Sequence, residues 1–227
     1  KKIKINENIT IYKISDLKSF KNKFINICNS IRDKKIKNIL VPGGQTPIPL
    51  FKELAKYQIN WSKYSFSVTD ERLTRRKNIN NSNELMFSHF FLKKLEKKNL
   101  PKSLTLPKKK IYFCKDYKKF TNNFVSFLGI GNDGHIASIF RDDFKKKNNK
   151  LIFFTKKKYH NYKRVSWTFD TLLKSKEIHF LISGRNKQEL IENIKNLHFE
   201  IKLPYIQLIK KFRGNINIIW CTKQINE

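Results

Sequence analysis

Asp133 and His135 lie two residues apart in a loop that also contains three glycines. Imidazole is the side chain best matched to proton transfer near neutral pH, and a neighbouring carboxylate can fix its tautomer. Two residues this close in a tight loop can both face one cavity. The pair therefore predicts a histidine that activates water. Covalent catalysis is not indicated, because the chain has no G-x-S-x-G elbow and neither glycine loop contains a cysteine.

Five of the seven glycines are concentrated in two loops, residues 41–47 and 129–135. In a chain so poor in glycine, this clustering indicates backbone that turns sharply or approaches a ligand closely. Each loop follows an apolar run, residues 36–41 or 124–128, and precedes a segment with helical character. A loop between a strand and a helix directs free N–H groups at an anion. The two loops together predict an enzyme that acts on a phosphorylated small molecule.

Strands alternate with helices along most of the 227 residues. This order predicts an α/β protein with a doubly wound, mostly parallel sheet and helices on both faces, in a single domain over residues 1–227. Further predicted elements are a helix over 83–95 capped by Asn83, a loop over 97–110, strands over 111–113, 151–154 and 164–169, and a helix over 186–197. In such sheets ligands bind beyond the carboxyl ends of the strands.

Four polar segments are predicted to converge at that edge of the sheet. They are the loop at residues 43–44, the segment 70–72, the loop 129–135 and the segment 184–187.

Residues 129–134 also fit the dinucleotide pattern G-x-G-x-x-G, but the next predicted strand is followed by three lysines instead of an acidic residue. We therefore expect no cofactor. The remaining histidines share no metal-ligand spacing and are expected to be structural or on the surface, so no metal site is predicted.

The formal net charge of +31 invites a nucleic-acid interpretation. However, the chain is unusually rich in Lys, Ile and Asn, which all have AT-rich codons, and its lysines are dispersed. We expect solvated lysines that steer anionic substrates, and no specific nucleic-acid partner.

Three separated cysteines fit a reducing compartment. With no apolar run that spans a bilayer and no visible signal peptide, a cytoplasmic protein without a membrane partner is expected. Monomer and dimer both stay open.

Several motifs together resemble those of the 6-phosphogluconolactonases, within the superfamily that also includes the glucosamine-6-phosphate deaminases. The matching segments, in family order, are residues 43–47 (GGQTP), 69–72 (TDER), 82–83 (SN), 129–140 (GIGNDGHIASIF), 164–166 (RVS) and 184–187 (GRNK). The resemblance spans roughly residues 36–220.

Two positions separate the lactonases from the deaminases, which are the main alternative. Deaminases carry a glutamate where this chain has Phe140, and a tyrosine where it has Arg72. Both differences favour a lactonase. The chain departs from the usual lactonase pattern at Ile136, where threonine is common, and at Arg141 and Asp142, where Pro-Gly is common. A non-catalytic basic binding module is a further alternative.

The resemblance implies hydrolysis of 6-phospho-D-glucono-1,5-lactone to 6-phosphogluconate in the oxidative pentose phosphate pathway. His135 would take a proton from water, Asp133 would orient His135, and Arg72 would stabilise negative charge on the substrate or the tetrahedral intermediate. Six residues are implied to bind the 6-phosphate: Gly43, Gly44, Gln45, Thr46, Arg164 and Lys187.

Overall fold

The computed structural model describes residues 1–75, 77–109, 115–142, 150–196, 198 and 200–225. Within these ranges the strands are β1 (Lys2–Lys4), β2 (Ile9–Ile14), β3 (Asn38–Val41), β4 (Ser65–Val68), β5 (Asp70–Leu73), β6 (Lys102–Leu104), β7 (Phe124–Leu128), β8 (Ile152–Phe154), β9 (Lys163–Trp167), β10 (Glu177–Ser183) and β11 (Asn215–Cys221). The α-helices are α1 (Leu17–Asp33), α2 (Ile48–Leu54), α3 (Asn83–Phe90), α4 (Phe169–Leu172), α5 (Gln188–Lys195) and α6 (Pro204–Lys211). Short 3-10 segments cover Trp61–Lys63, Leu92–Lys94, Lys97–Asn99, Lys115–Phe120 and Arg185–Lys187.

Eight strands form one sheet in the order β1-β2-β11-β10-β7-β3-β4-β6. Neighbouring strands are parallel except for the β1–β2 pair at one edge. From β3 the chain builds outward through β4 to β6, and from β7 it builds in the opposite direction through β10 to β11. The strand order therefore reverses between β3 and β7.

Side chains of β7 alternate between two covered faces of this sheet, as a buried parallel strand requires. Phe127 packs on Phe24 of α1, with ring centroids 5.2 Å apart. Phe124 points the other way and packs on Phe120 at 5.9 Å. On that second face the Ser126 hydroxyl exchanges a 2.7 Å hydrogen bond with Ser175, just beyond α4. The predicted doubly wound sheet is confirmed.

A second, antiparallel sheet of three strands, β5-β9-β8, lies beside the end of β4. Thr69 is the transition point, because its N–H donates to Val41 in the first sheet while its carbonyl accepts from Trp167 in the second. The sequence predicts the strands at 151–154 and 164–169 but not this separate sheet. It also misses β5, because residues 70–72 were predicted to be a polar segment after the strand.

The N-terminus of α3 is capped differently from the prediction. Ser82 is the cap, and its hydroxyl accepts from the Leu85 N–H, whereas the Asn83 amide donates to Asp70. Buried Glu71 accepts from the Asn83 N–H and the Ser82 hydroxyl, so a negative charge sits where the helix dipole favours it. The helix ends at Phe90, earlier than the predicted residue 95.

Other boundaries also differ from the predictions. The predicted loop over 97–110 contains β6, which pairs with β4. The predicted helix over 186–197 begins as a 3-10 turn and continues as α5, while residue 197 lies outside the described residues. The predicted strand over 111–113 also lies outside them. No helix in the described part of the chain is long and apolar enough to cross a membrane.

Candidate active site

The two glycine loops leave the ends of β3 and β7, which are the adjacent strands where the strand order reverses. This is the position at which doubly wound sheets bind ligands. An open cavity of about 220 Å³ lies there, between the first sheet and the second. Eight of the nine predicted site residues line it: Gly43, Gly44, Gln45, Thr46, Arg72, His135, Arg164 and Lys187.

Asp133, the ninth, contacts the His135 ring through its Oδ1 atom and the ring Nδ1. The same oxygen accepts from the His135 backbone N–H at 3.3 Å. The hydrogen bond to the imidazole is the main reason that the pKa of the Asp133 carboxyl falls from 3.8 to about 2. Because Asp133 occupies Nδ1, Nε2 is the ring nitrogen left to exchange a proton with a ligand.

Gly131 and Gly43 are positions where a side chain would displace site residues. A Cβ at Gly131 would lie 2.1 Å from Nδ1 of His135, and a Cβ at Gly43 would lie 2.1 Å from Oδ1 of Asn83. Both distances are far inside van der Waals contact. Gly43 and Gly131 are therefore explained by the close approach of neighbouring site residues to the backbone.

The first glycine loop offers several hydrogen-bond donors to the cavity. Within the described part of the chain, the backbone N–H groups of residues 43–46 donate to no protein acceptor. The Thr46 hydroxyl exchanges a 2.8 Å hydrogen bond with Ser183 at the end of β10, which fixes the loop to the sheet. Gly44 has a φ of +84°, which lets the loop turn back over the strand ends. Such exposed N–H groups favour an anionic ligand.

Two arginines lie directly opposite each other on neighbouring strands of the second sheet, since Arg72 of β5 is paired with Arg164 of β9. Arg164 is buried, and this burial lowers the pKa of its guanidinium. Its Nη1 lies 3.6 Å from Oδ2 of Asp70. Among the described residues that line the cavity, Asp70 is the one acid, against two arginines and Lys187. The cavity therefore has an excess of positive charge that suits an anion.

Lys187 reaches the cavity from the segment after β10. Its Nζ donates to the Ile130 carbonyl at 2.8 Å, in the second glycine loop. Burial lowers the pKa of this ammonium group, and the nearby Asp133 opposes that shift. A partly buried ammonium that a backbone carbonyl holds is well placed to bind an anionic oxygen.

The sequence places the segment 70–72 at this edge of the sheet but assigns no role to Asp70 or Ser138. The buried Asp70 carboxylate accepts from the Ser138 hydroxyl and from Thr69 Oγ1, the latter at 3.2 Å. The Ser138 N–H donates to Ser166 Oγ of β9 at 3.2 Å. The loop that carries His135 is thus anchored to the second sheet. The sequence signal that could have identified Asp70 is that an acidic residue stands two positions before Arg72.

A family model described as glucosamine-6-phosphate isomerases/6-phosphogluconolactonase matches residues 17–220. The chain belongs to this family. It is 30% identical to the 6-phosphogluconolactonase of Thermotoga maritima over 164 residues, which are 70% of this chain and 74% of that protein. It is 26% identical over 224 residues to the probable 6-phosphogluconolactonase of Dictyostelium discoideum, covering 87% of this chain and 90% of that one.

Solved structures of this family share the fold. The 6-phosphogluconolactonase from Thermotoga maritima superposes with a TM-score of 0.75 at 23% identity, over 95% of this chain and 100% of that chain. The enzyme from Plasmodium vivax gives a TM-score of 0.78 at 22% identity, over 97% of this chain and 93% of that one. The predicted fold class and the predicted resemblance to the lactonases are both confirmed.

The contact between Asp133 and His135 predicts a measurable change in acidity. In a His135→Ala variant the pKa of the Asp133 carboxyl should rise from about 2 toward its ordinary value of 3.8, because its largest stabilising hydrogen bond is lost. Carbon-13 NMR titration of the labelled carboxyl measures this. In the wild type, stabilisation by Asp133 is present above pH 3.8 and is lost as the pH falls toward 2; the variant should lose less in that window.

A matched control for this titration is His198→Ala, which removes an imidazole that contacts Glu200, also two residues away. The control should leave the pKa of Asp133 at about 2. A pKa that stays at about 2 in His135→Ala as well would show that the imidazole is not the cause of the shift.

Proposed function

We propose that this protein hydrolyses 6-phospho-D-glucono-1,5-lactone to 6-phospho-D-gluconate, a step of the oxidative pentose phosphate pathway. One observation carries the proposal: the His135–Asp133 pair opens on the same cavity as a glycine loop and three basic side chains. That combination joins a group that moves protons to groups that bind phosphate. Membership of the family and the lactonases among its relatives support the same reaction.

His135 acts as the general base. Its Nε2 accepts a proton from water while the water oxygen attacks the carbonyl carbon of the lactone. Asp133 holds Nδ1 and stabilises the imidazolium that forms. The bond between the carbonyl carbon and the ring oxygen then breaks, and the imidazolium returns its proton to that ring oxygen. The product is an open-chain carboxylic acid, which ionises.

Arg72 stabilises the negative charge that develops on the carbonyl oxygen. Within the described part of the chain, its buried Nε has no hydrogen-bond partner, while its Nη1 donates to the Asn80 carbonyl at 3.4 Å. A buried donor without an acceptor is costly. Arg72 lines the cavity, and preorganised donors of this kind contribute most when the charge forms in the transition state.

The 6-phosphate binds at the other side of the cavity. The free N–H groups of residues 43–46 and the Thr46 hydroxyl cradle its oxygens. Arg164, which Asp70 holds in place, supplies a planar pair of donors, and Lys187 supplies a point charge. A phosphate carries two negative charges near neutral pH, which matches the excess of positive charge in this cavity.

Phe140 supports the lactonase reaction over deamination. The deaminases that resemble this chain carry a glutamate at that position, near the histidine. Here the Phe140 ring lies against His135, with centroids 4.6 Å apart, and a phenyl ring cannot transfer a proton. The proton-transfer group that deamination needs is therefore replaced by an apolar ring.

The general-base role predicts that His135→Ala lowers the turnover of freshly prepared 6-phosphogluconolactone by roughly 10²- to 10⁴-fold, the usual worth of a positioned proton-transfer group. Acid release, corrected for spontaneous hydrolysis, measures the rate. Circular dichroism checks that the fold is retained. The control is His89→Ala, on an exposed position of α3, which should turn over at the wild-type rate. Wild-type turnover in His135→Ala would refute the role of this histidine.

The phosphate site predicts a different kinetic change. Lys187→Ala should raise the KM for the lactone about 10-fold or more, because a hydrogen bond to a charged group contributes about 1.5–3 kcal/mol. Inorganic phosphate should inhibit the wild type competitively and the variant more weakly. Lys163→Ala, an exposed lysine next to Arg164, is the control and should leave KM unchanged. Equal hydrolysis of the unphosphorylated lactone would contradict the phosphate assignment.

A further inference from the structure

Residues 155–164 form a hairpin between β8 and β9 that lies next to the segment 129–140, which carries His135. Its tip is a tight turn in which Tyr159 and Tyr162 exchange backbone hydrogen bonds of 2.9 and 3.2 Å. The two residues between them, His160 and Asn161, have φ values of 49° and 69°. Positive φ at both central positions is the geometry of a hairpin turn that follows the twist of its strands. This turn fixes the direction in which the Tyr159 side chain leaves the hairpin.

The Tyr159 ring stacks on Phe140, which lies in the same segment as His135. The ring centroids are 3.6 Å apart and the planes differ by 5°. The Phe140 ring in turn lies against the imidazole of His135, at 4.6 Å and 31°. Three rings therefore form one column that runs from the hairpin of the second sheet to the general base of the proposed reaction.

This column restricts a motion that Asp133 does not. The Asp133 carboxylate holds the imidazole at Nδ1, and the ring can still tilt about that contact. The face of Phe140 blocks the tilt on one side, and Phe140 is itself held by Tyr159. Proton transfer depends on the direction of Nε2, and catalytic groups need to be held within about 10–20° of the productive orientation.

Tyr159 also contacts the phosphate half of the site, through a different part of the residue. Its backbone carbonyl accepts from Nε and Nη2 of Arg164, both at 3.4 Å. A side-chain substitution removes the ring from the column but leaves this carbonyl in place. The two contacts of Tyr159 can therefore be separated experimentally.

We infer that Tyr159 is a positioning residue for the lactonase reaction: its ring presses Phe140 against His135 and holds the imidazole ready to accept the proton of water. This inference rests on the proposed function. Tyr159 is not among the described residues that line the cavity, so its ring acts on the rate through Phe140 and His135 and not by contact with the substrate.

Steady-state kinetics of Tyr159→Ala, Tyr159→Phe and Tyr162→Ala separate the ring stack from general hairpin stability. Tyr159→Ala should lower kcat about 2- to 12-fold, which is the loss of an aromatic pair expressed as a rate, and leave KM within about 2-fold. Tyr159→Phe keeps the stack and should retain wild-type kcat. Tyr162→Ala removes a tyrosine from the same turn, outside the column, and should also retain it.

A double-mutant cycle tests whether Tyr159 acts through Phe140. Phe140→Leu should lower kcat by itself, and adding Tyr159→Ala to it should cause no further loss, because the intermediate ring is already absent. Losses that multiply would overturn the inference, since they would show two independent effects. A raised KM with unchanged kcat in Tyr159→Ala would overturn it too, and so would equal losses in Tyr162→Ala.

Proton NMR of the His135 ring gives a readout that does not depend on the reaction. Tyr159→Ala should shift the ring resonances of His135, because the neighbouring Phe140 ring moves, whereas Tyr162→Ala should leave them in place. Unmoved resonances in Tyr159→Ala would refute the positioning role. Shifted resonances in a protein whose wild type does not accelerate lactone hydrolysis would refute the proposed function alone.

Discussion

Asp70 is a buried carboxylate whose two oxygens are shared among four neighbouring side chains, those of Thr69, Asn83, Ser138 and Arg164. A buried charge persists only where partners compensate for its lost hydration. Ser138 follows His135, the proposed general base, and Arg164 lies in the proposed phosphate site. Breaking a buried pair from one side costs about 3–5 kcal/mol. The carboxylate therefore couples the two halves of the site and fixes the distance between them.

The positively charged side chains around the cavity are held in positions that are electrostatically unfavourable in the protein alone. Burial lowers the pKa of Arg164 and of Lys187, which means that their charged forms are disfavoured before an anion binds. Arg72 and Arg164 face each other across two strands, where like charges repel. An anion bound among these cations would offset these costs, which therefore favour its binding. The net charge of +31 would also speed the approach of such an anion.

The parts of the site that the sequence predicts are those encoded locally. The glycine loops and the Asp133–His135 pair are short segments whose chemistry is visible in adjacent residues. The apolar runs of β3 and β7 identify buried strands by composition alone. By contrast, β5 contains Asp70, Glu71 and Arg72, and these charges resemble a loop. These residues form a strand because they pair with β9 and contact α3, and neither contact is visible in the local sequence.

Long-range contacts account for the rest of what the sequence does not reveal. Tyr159 reaches Phe140 from a hairpin nineteen residues later, and no local pattern predicts that stack. The cap of α3 shows the same limitation on a smaller scale. Ser82 and Asn83 are both good capping residues, and the choice between them was made by Asp70, which binds the Asn83 amide.

The kinetics of Asp70→Asn test the coupling of the two halves most directly. Asparagine has the same shape but lacks the negative charge of the carboxylate. The carboxylate oxygen Oδ2 pairs with Arg164 and accepts from Ser138. If the carboxylate joins the base to the phosphate site, this one substitution should lower kcat and raise KM together, each about 10-fold or more, in a protein that still unfolds cooperatively. A change in only one of the two parameters, or in neither, would contradict the account.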